Sequence, residues 1–254
     1  MLSKAKIKYI KSLHVKKHRI TEQSFIAEGV KSVLEFIDSK FTTDVVYGTE
    51  LFWKQHKKIL SAKNIPFELA SEFELTQAGT LKSNNGAIAV VKLPHYETTK
   101  LEEGNWTIML DGVNDPGNLG TIIRIADWYG INRVIISENS VDMYNPKVVN
   151  TTKGSLARVR VEYGNLPELL ASFNGAIIGA EMKGEDIHTF NSTVGGVLVM
   201  GSESHGISDG LSRFITNYVT IPRIGGAESL NVAVATAIFC DNLIGRKFRG
   251  IGSI

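Results

Sequence analysis

Apolar residues recur along the chain at two periods, and the way they alternate divides it into two halves. Ile7, Ile10 and Leu13, with Leu2 extending the row, predict an opening helix that keeps its lysines outside. Phe25–Phe36 (FIAEGVKSVLEF) begins extended and continues at helical spacing. Asp44–Tyr47 (DVVY) and Gly86–Lys92 (GAIAVVK) predict short strands. Between them, Glu50–Ala62 predicts an amphipathic helix with Leu51, Phe52, Ile59 and Leu60 apolar. Residues 1–92 thus form a small α/β domain. Leu93–Asn105 (LPHYETTKLEEGN) carries a proline, a glycine and several charges, and predicts a linker.

Residues 106–254 read as a βα series. Trp106–Leu110 is a strand, and a loop rich in Gly, Asn and Pro follows to Gly120. Thr121–Tyr129 is a helix. Val134–Ser137, Ala176–Ala180, Val197–Met200 and Val219–Ile221 are further strands. Ser229–Ile244 is a long helix with Ser229 at its N-cap, Leu230, Val234 and Ile238 stacked on one side, and Ala235, Phe239 and Leu243 beside them. Strands alternating with helices predict an α/β fold with a mostly parallel sheet.

Composition bounds the picture. Hydrophobic residues at 43% and charged residues at 21% are globular proportions with enough apolar material for real cores. The single cysteine, Cys240, cannot form an internal bridge, which fits a cytoplasmic protein. No apolar run reaches the roughly 18 residues of a membrane span. No apolar segment follows the N-terminal lysines, so no secretory signal is expected. The net charge of +2 conceals an asymmetry. Residues 1–21 hold Lys4, Lys6, Lys8, Lys11, Lys16, Lys17 and Arg19 without an Asp or Glu. Such an arm suits a polyphosphate backbone, whose counterions it would release.

In open α/β sheets, ligands bind beyond the carboxyl ends of the strands. Three loops there are richer in Gly, Asn and Ser than a plain connection requires: Asp111–Gly120 (DGVNDPGNLG), Gly201–Gly206 (GSESHG) and Pro222–Asn231 (PRIGGAESLN). Neither G-x-G-x-x-G nor G-x-x-x-x-G-K-[ST] occurs, which disfavours a nucleotide-dependent oxidoreductase. His14, His18, His56, His95, His188 and His205 lack partners at ligand spacing, so no metal is expected. Of these, only His205 lies in one of the three loops.

In order, NDPGNLGTIIRIAD, VLVMGSESHGIS and IPRIGGAESLNVAVATAI resemble the signature motifs of the SpoU (TrmH-like) branch of the SPOUT RNA methyltransferases. KYIKSLHVKKHR and FIAEGVKSV resemble that family's N-terminal RNA-binding domain. The resemblance implies a trefoil-knotted parallel-sheet catalytic domain and a homodimer with the active site at the subunit interface. It implies S-adenosylmethionine as cofactor and transfer of a methyl group to a ribose 2′-hydroxyl, in ribosomal RNA first and transfer RNA second. An RNA-binding assembly factor with the same fold and no activity is the alternative, and the retained Asn118, Arg124, Glu203 and Asn231 argue against it.

Those four residues match the family's active-site positions. The apolar neighbours of Arg124 predict a largely buried helix, in which an arginine needs a partner such as Asp127 or Glu203. Its functional roles are proton acceptor, which an ordinarily protonated guanidinium opposes, or holder of the RNA phosphate. Asn118 either shapes the Pro-Gly turn or serves the site, and Glu203 either pairs with Arg124 or anchors the second loop. For the cofactor, the resemblance points to backbone groups at Gly201, Ile221 and Leu230, with Met200 and Ile224 along the adenine and Ser229 nearby. Lys147–Ser155 (KVVNTTKGS) departs from the family's Arg-containing, small-residue pattern at Asn150 and Lys153, which bears on RNA choice or dimer contacts.

Overall fold

The computed structural model describes residues 1–97, 100–191, 194–202 and 204–246. They form two compact units, Met1–Tyr96 with Asp142–Arg158, and Glu97–Val141 with Val159–Ile254. Among the described residues no helix is long and apolar enough to cross a membrane.

The first unit opens on α1 (Lys4–Ser12), with the Ser3 side chain accepting from the Lys6 N–H as N-cap. Ile10 and Leu13 are fully buried and Leu2 nearly so, as their spacing predicts, while Lys4, Lys8 and Lys11 stay outside. The next helix, α2 (Lys16–Glu22), removes Arg19 from the basic arm. Arg19 is 3% exposed, donates to the Leu13 carbonyl at 2.7 Å and pairs with Asp142. The other half of the ion pair is remote in sequence, so periodicity could not reveal it. Lys6 is also engaged, with Glu68.

The rest of the unit alternates β1 (Ser24–Glu28), α3 (Val30–Ile37), β2 (Thr43–Gly48), α4 (Glu50–Ala62), β3 (Phe67–Leu69), α5 (Glu72–Ala78) and β4 (Ala87–Lys92). The sheet order is β1-β4-β2-β3, with β4 antiparallel to both of its neighbours and β3 parallel to β2. The three-residue β3 is too short to show a period. A capping box at Ser71 and Glu74 announces α5. Segment 142–158 carries a helix over Pro146–Thr152, with Asn145 capping Lys147 N–H. Its Asn150 donates to Thr80 Oγ1 at 3.1 Å and Glu28 Oε1 at 3.3 Å, and Arg158 pairs with Glu35. Tyr144 packs on Phe25, which meets Phe36 and Phe41 edge-on. Asn150, the departure from the family pattern, is therefore a bridging residue within this unit, and Lys153 is an exposed left-handed C-cap.

The second unit is a six-stranded sheet in the order β10-β8-β9-β5-β6-β7, parallel throughout. Its strands are β5 (Trp106–Asp111), β6 (Arg133–Ile136), β7 (Arg160–Tyr163), β8 (Ile177–Asp186), β9 (Gly196–Gly201) and β10 (Asn217–Thr220). The helices are α6 (Pro116–Trp128), then α8 (Leu166–Ala171), α9 (Asp209–Ser212) and α10 (Val232–Cys240), with Pro146–Thr152 of the first unit being α7 in chain order. Ile108, Met109, Leu110, Ile135, Val197 and Val199 are essentially buried, giving the continuous apolar runs of strands covered on both faces. The chain builds outward from β5 through β6 to β7, then returns to the other side of β5. That reversal makes a topological switch point between β5 and β9, where open α/β sheets hold ligands.

Candidate active site

The first and second motif loops leave the sheet side by side at this switch point, because Asp111 and Gly201 are register partners at the ends of β5 and β9. Sequence pattern started α6 too late. The helix begins at Pro116, with Asp115 accepting from the Asn118 N–H at 2.9 Å and proline at its first position. Asn118 therefore belongs to the first helical turn and does not shape a Pro-Gly loop. The Asp-Pro pair was the legible signal, masked by the glycines that follow it.

Asn118, Thr121 and Arg124 succeed one another at three-residue spacing along α6. Ile122, Ile123 and Ala126 are fully buried, but Arg124 is exposed. This corrects the expectation of a buried arginine. The apolar neighbours cover the inner face of α6 while position 124 lies outside it, and among the described residues no ion pair to Arg124 occurs. Glu203 lies outside the described residues.

The third motif meets the first through a side-chain bond. Asn231 Nδ2 donates to Asn118 Oδ1 at 2.9 Å, while Asn231 Oδ1 accepts from the N–H groups of Ala233 and Val234. Asn231, not Ser229, is the N-cap of α10, and Ser229 stays exposed before it. Because the cap consumes the amide oxygen, the amide nitrogen must face Asn118. At the other ends of the same helices, Tyr129 Oη donates to Asp241 Oδ1 at 3.3 Å, so α6 and α10 run side by side in one direction. The buried side of α10 is Val232, Ala233, Thr236, Phe239 and Cys240. Leu230 and Val234, expected in an apolar stack, are 47% and 50% exposed. Burial pushes the Cys240 thiol up to about 12, leaving it no nucleophile at neutral pH.

The cofactor candidates divide by exposure. Met200 is buried, Gly201 and Ile221 are partly buried, and Ile224, Ser229 and Leu230 are exposed. Gly201 has no room for a side chain: a Cβ there would strike the backbone of Gly206 and Ile207. Side chains added at Gly225 or Gly226 would meet nothing within 4 Å. His205 is exposed, its Nδ1 2.7 Å from Ser204 Oγ. Among the described residues no three His, Cys, Asp or Glu side chains group as metal ligands.

Comparison with known proteins decides the family. Residues 105–241 match the SpoU rRNA Methylase family, and residues 4–89 match the MRM3-like substrate binding domain. The chain belongs to the SpoU methylase family. The 23S rRNA (guanosine(2553)-2′-O)-methyltransferase RlmP of Bacillus subtilis is 30% identical to this SpoU-family chain over 246 residues, covering 94% of it and 96% of the relative. A Porphyromonas gingivalis protein assigned to the TrmH family of RNA methyltransferases superposes with a TM-score of 0.84 at 36% identity, over 97% of this chain and 99% of that one. An AdoMet-bound rRNA methyltransferase from Sinorhizobium meliloti gives 0.86 at 26% identity, over 100% and 97%.

Proposed function

We propose that this SpoU-family chain is an S-adenosylmethionine-dependent RNA methyltransferase that methylates a ribose 2′-hydroxyl, with ribosomal RNA the first substrate class and transfer RNA the second. The observation that carries this reading is the meeting of the motif segments at the switch point, where Asn231 of the third is bonded to Asn118 of the first. The relatives named for rRNA 2′-O-methylation and the AdoMet-bound neighbour supply the chemistry.

The residues present fit the cofactor. Gly201 keeps the second loop free of side-chain bulk where it folds onto itself, and the open surroundings of Gly225 and Gly226 leave third-loop backbone groups within a ligand's reach. Gly201, Ile221 and Leu230 would hold the cofactor through backbone groups, with Met200, Ile224 and Ser229 beside them. The exposed Ile224 and Leu230 offer apolar surface to an adenine ring. When bound, S-adenosylmethionine supplies an electrophilic methyl carbon. Arg124 would hold an RNA phosphate and orient the 2′-hydroxyl. A guanidinium has five donors and no acceptor, so its work here is positioning, which can supply much of the rate of an in-line displacement. Asn118 and Asn231 complete the constellation as a bonded pair, and Glu203 belongs to it on the motif alone.

The N-terminal domain, residues 1–92, would grip structured RNA, with the exposed Lys4, Lys8, Lys11, Lys16 and Lys17 tracking phosphates. Residues 93–105 would link it to the catalytic domain, residues 106–254, whose knotted path is proposed on the family's ground. A homodimer draws support from Trp128 and Val234, large apolar side chains left exposed on α6 and α10 and not assigned to the cofactor. A cytoplasmic location follows from the substrate class.

Calorimetric titration with S-adenosylmethionine, paired with mapping of ribose methylation in total RNA with and without the gene, tests the reading. Saturable binding and the loss of one methylated ribose are expected. RNA binding without cofactor binding would hand the case to the inactive assembly factor.

A further inference from the structure

We propose that Asp111 is a positioning residue that pins the returning limb of the second motif loop and so pre-forms the methyl-donor pocket; this rests on the cofactor reading above. Asp111 ends β5, directly beside Gly201 at the end of β9. Its carboxylate Oδ2 accepts from the Ser208 backbone N–H at 2.8 Å, across 97 residues of chain. Among the described residues no cation pairs with this carboxylate.

The described residues between Gly201 and Ser208 brace one another through a short hairpin. Ser202 and Gly206 exchange backbone hydrogen bonds at 3.1 and 2.9 Å, and the His205 N–H donates to Ser202 Oγ at 3.2 Å. Gly206 has a φ of +66°, a conformation few side chains tolerate. The outgoing limb is held by the pairing of β9 with β5. The returning limb leaves the hairpin at Ile207 and Ser208, where the Asp111 carboxylate meets it. The post itself is fixed, because β5 pairs on both sides and the Gly112 N–H donates to Ser137 Oγ at 2.9 Å. Gly112 also lies against the second loop: a Cβ there would sit 3.7 Å from Ser202 Cβ. A charge-assisted bond to a backbone N–H is among the stronger hydrogen bonds. It holds the loop's backbone in place before any ligand arrives, so binding need not order it.

Asp111 touches no reacting atom in this scheme, so its loss falls on cofactor affinity and not on turnover. Asp111→Ala is expected to weaken S-adenosylmethionine and S-adenosylhomocysteine alike by about tenfold to a hundredfold. The methylation rate at saturating cofactor should stay close to wild type. Asp111→Asn keeps an oxygen acceptor and should recover most of the affinity. Ser208→Pro removes the donor at a residue whose φ of −66° is proline's own. It should reproduce the loss, and the double variant should be no worse than either single one.

Hydrogen exchange in the ligand-free protein gives a readout independent of the cofactor. Amides of residues 204–207 should lose protection in Asp111→Ala and Ser208→Pro, and keep it in Asp111→Asn. Wild-type cofactor affinity in Asp111→Ala, or unchanged exchange in that loop, overturns the proposal. If Asp111→Ala does not fold, Asp111→Asn and Ser208→Pro decide by the same two measurements. A wild-type protein that binds no cofactor sinks the functional reading instead, while the exchange data still judge the pin.

Discussion

Arg124 stands on the exposed side of α6 while its neighbours Ile122 and Ile123 are buried. Removing a side chain from such a position changes stability by about 0.5 kcal/mol or less. Arg124→Ala should therefore melt like wild type while methyl transfer falls about a hundredfold or more, the loss expected when a positioning group is removed. Equal transfer rates would end its assignment to the site. Cys240 makes the opposite kind of prediction. Its thiol is fully buried and pushed up to about 12, so a thiol reagent should label native protein negligibly at pH 8 and react once urea unfolds it. Rapid labelling under native conditions would show that α10 opens.

At the scale of elements, the α10 N-terminus separates two functions of one side chain. Asn231 caps the helix through its amide oxygen and holds Asn118 through its amide nitrogen. Asn231→Asp keeps the cap and loses the donor, so it should cost little stability yet impair methylation. Asn231→Ala loses both and should also cost about 1 kcal/mol in urea denaturation. Should the Asp variant prove fully active, the Asn118–Asn231 bond would have no part in the reaction. In the first unit, the buried Glu28 carboxylate accepts from Thr80 N–H and Oγ1 and from Asn150 Nδ2. Glu28→Ala removes these bonds from donors that water can still reach and should destabilise the unit by about 1 kcal/mol. Chain pattern reached β5, α6 and β9 because their apolar runs are long. It missed the start of α6 because Gly117 and Gly120 imitate a loop, and it missed β3 because three residues cannot show a period.

For the whole molecule, the exposed Trp128 and Val234 bear on assembly. Trp128→Glu and Val234→Glu test the proposed homodimer: a wild-type mass of two chains by light scattering that falls to one chain in each variant is expected, a wild-type mass of one chain would end the proposal, and unchanged mass in both variants would move the proposed interface elsewhere. RNA grip is better tested by charge than by deletion. Residues 142–158 belong to the first compact unit, and removing residues 1–92 would strip cover from Val148 and Val149, both fully buried. Lys8→Glu with Lys11→Glu should weaken RNA binding and make its salt dependence shallower by about two. By itself the sequence determined the apolar elements β1, β2, β4, β5, β6, β8, β9 and β10 with α1, α3, α4, α6 and α10, the parallel class of the second sheet and the three loops that carry chemistry, because each rests on local spacing; the short α2, β3, α5, α7, β7, α8 and α9 escaped it. Only the tertiary structure decided that Arg19 is buried with Asp142, that Arg124 is exposed, that Asn231 replaces Ser229 as cap, and that Asp111 meets Ser208. Burial and pairing depend on what folds against a residue from far along the chain, and local spacing does not encode that.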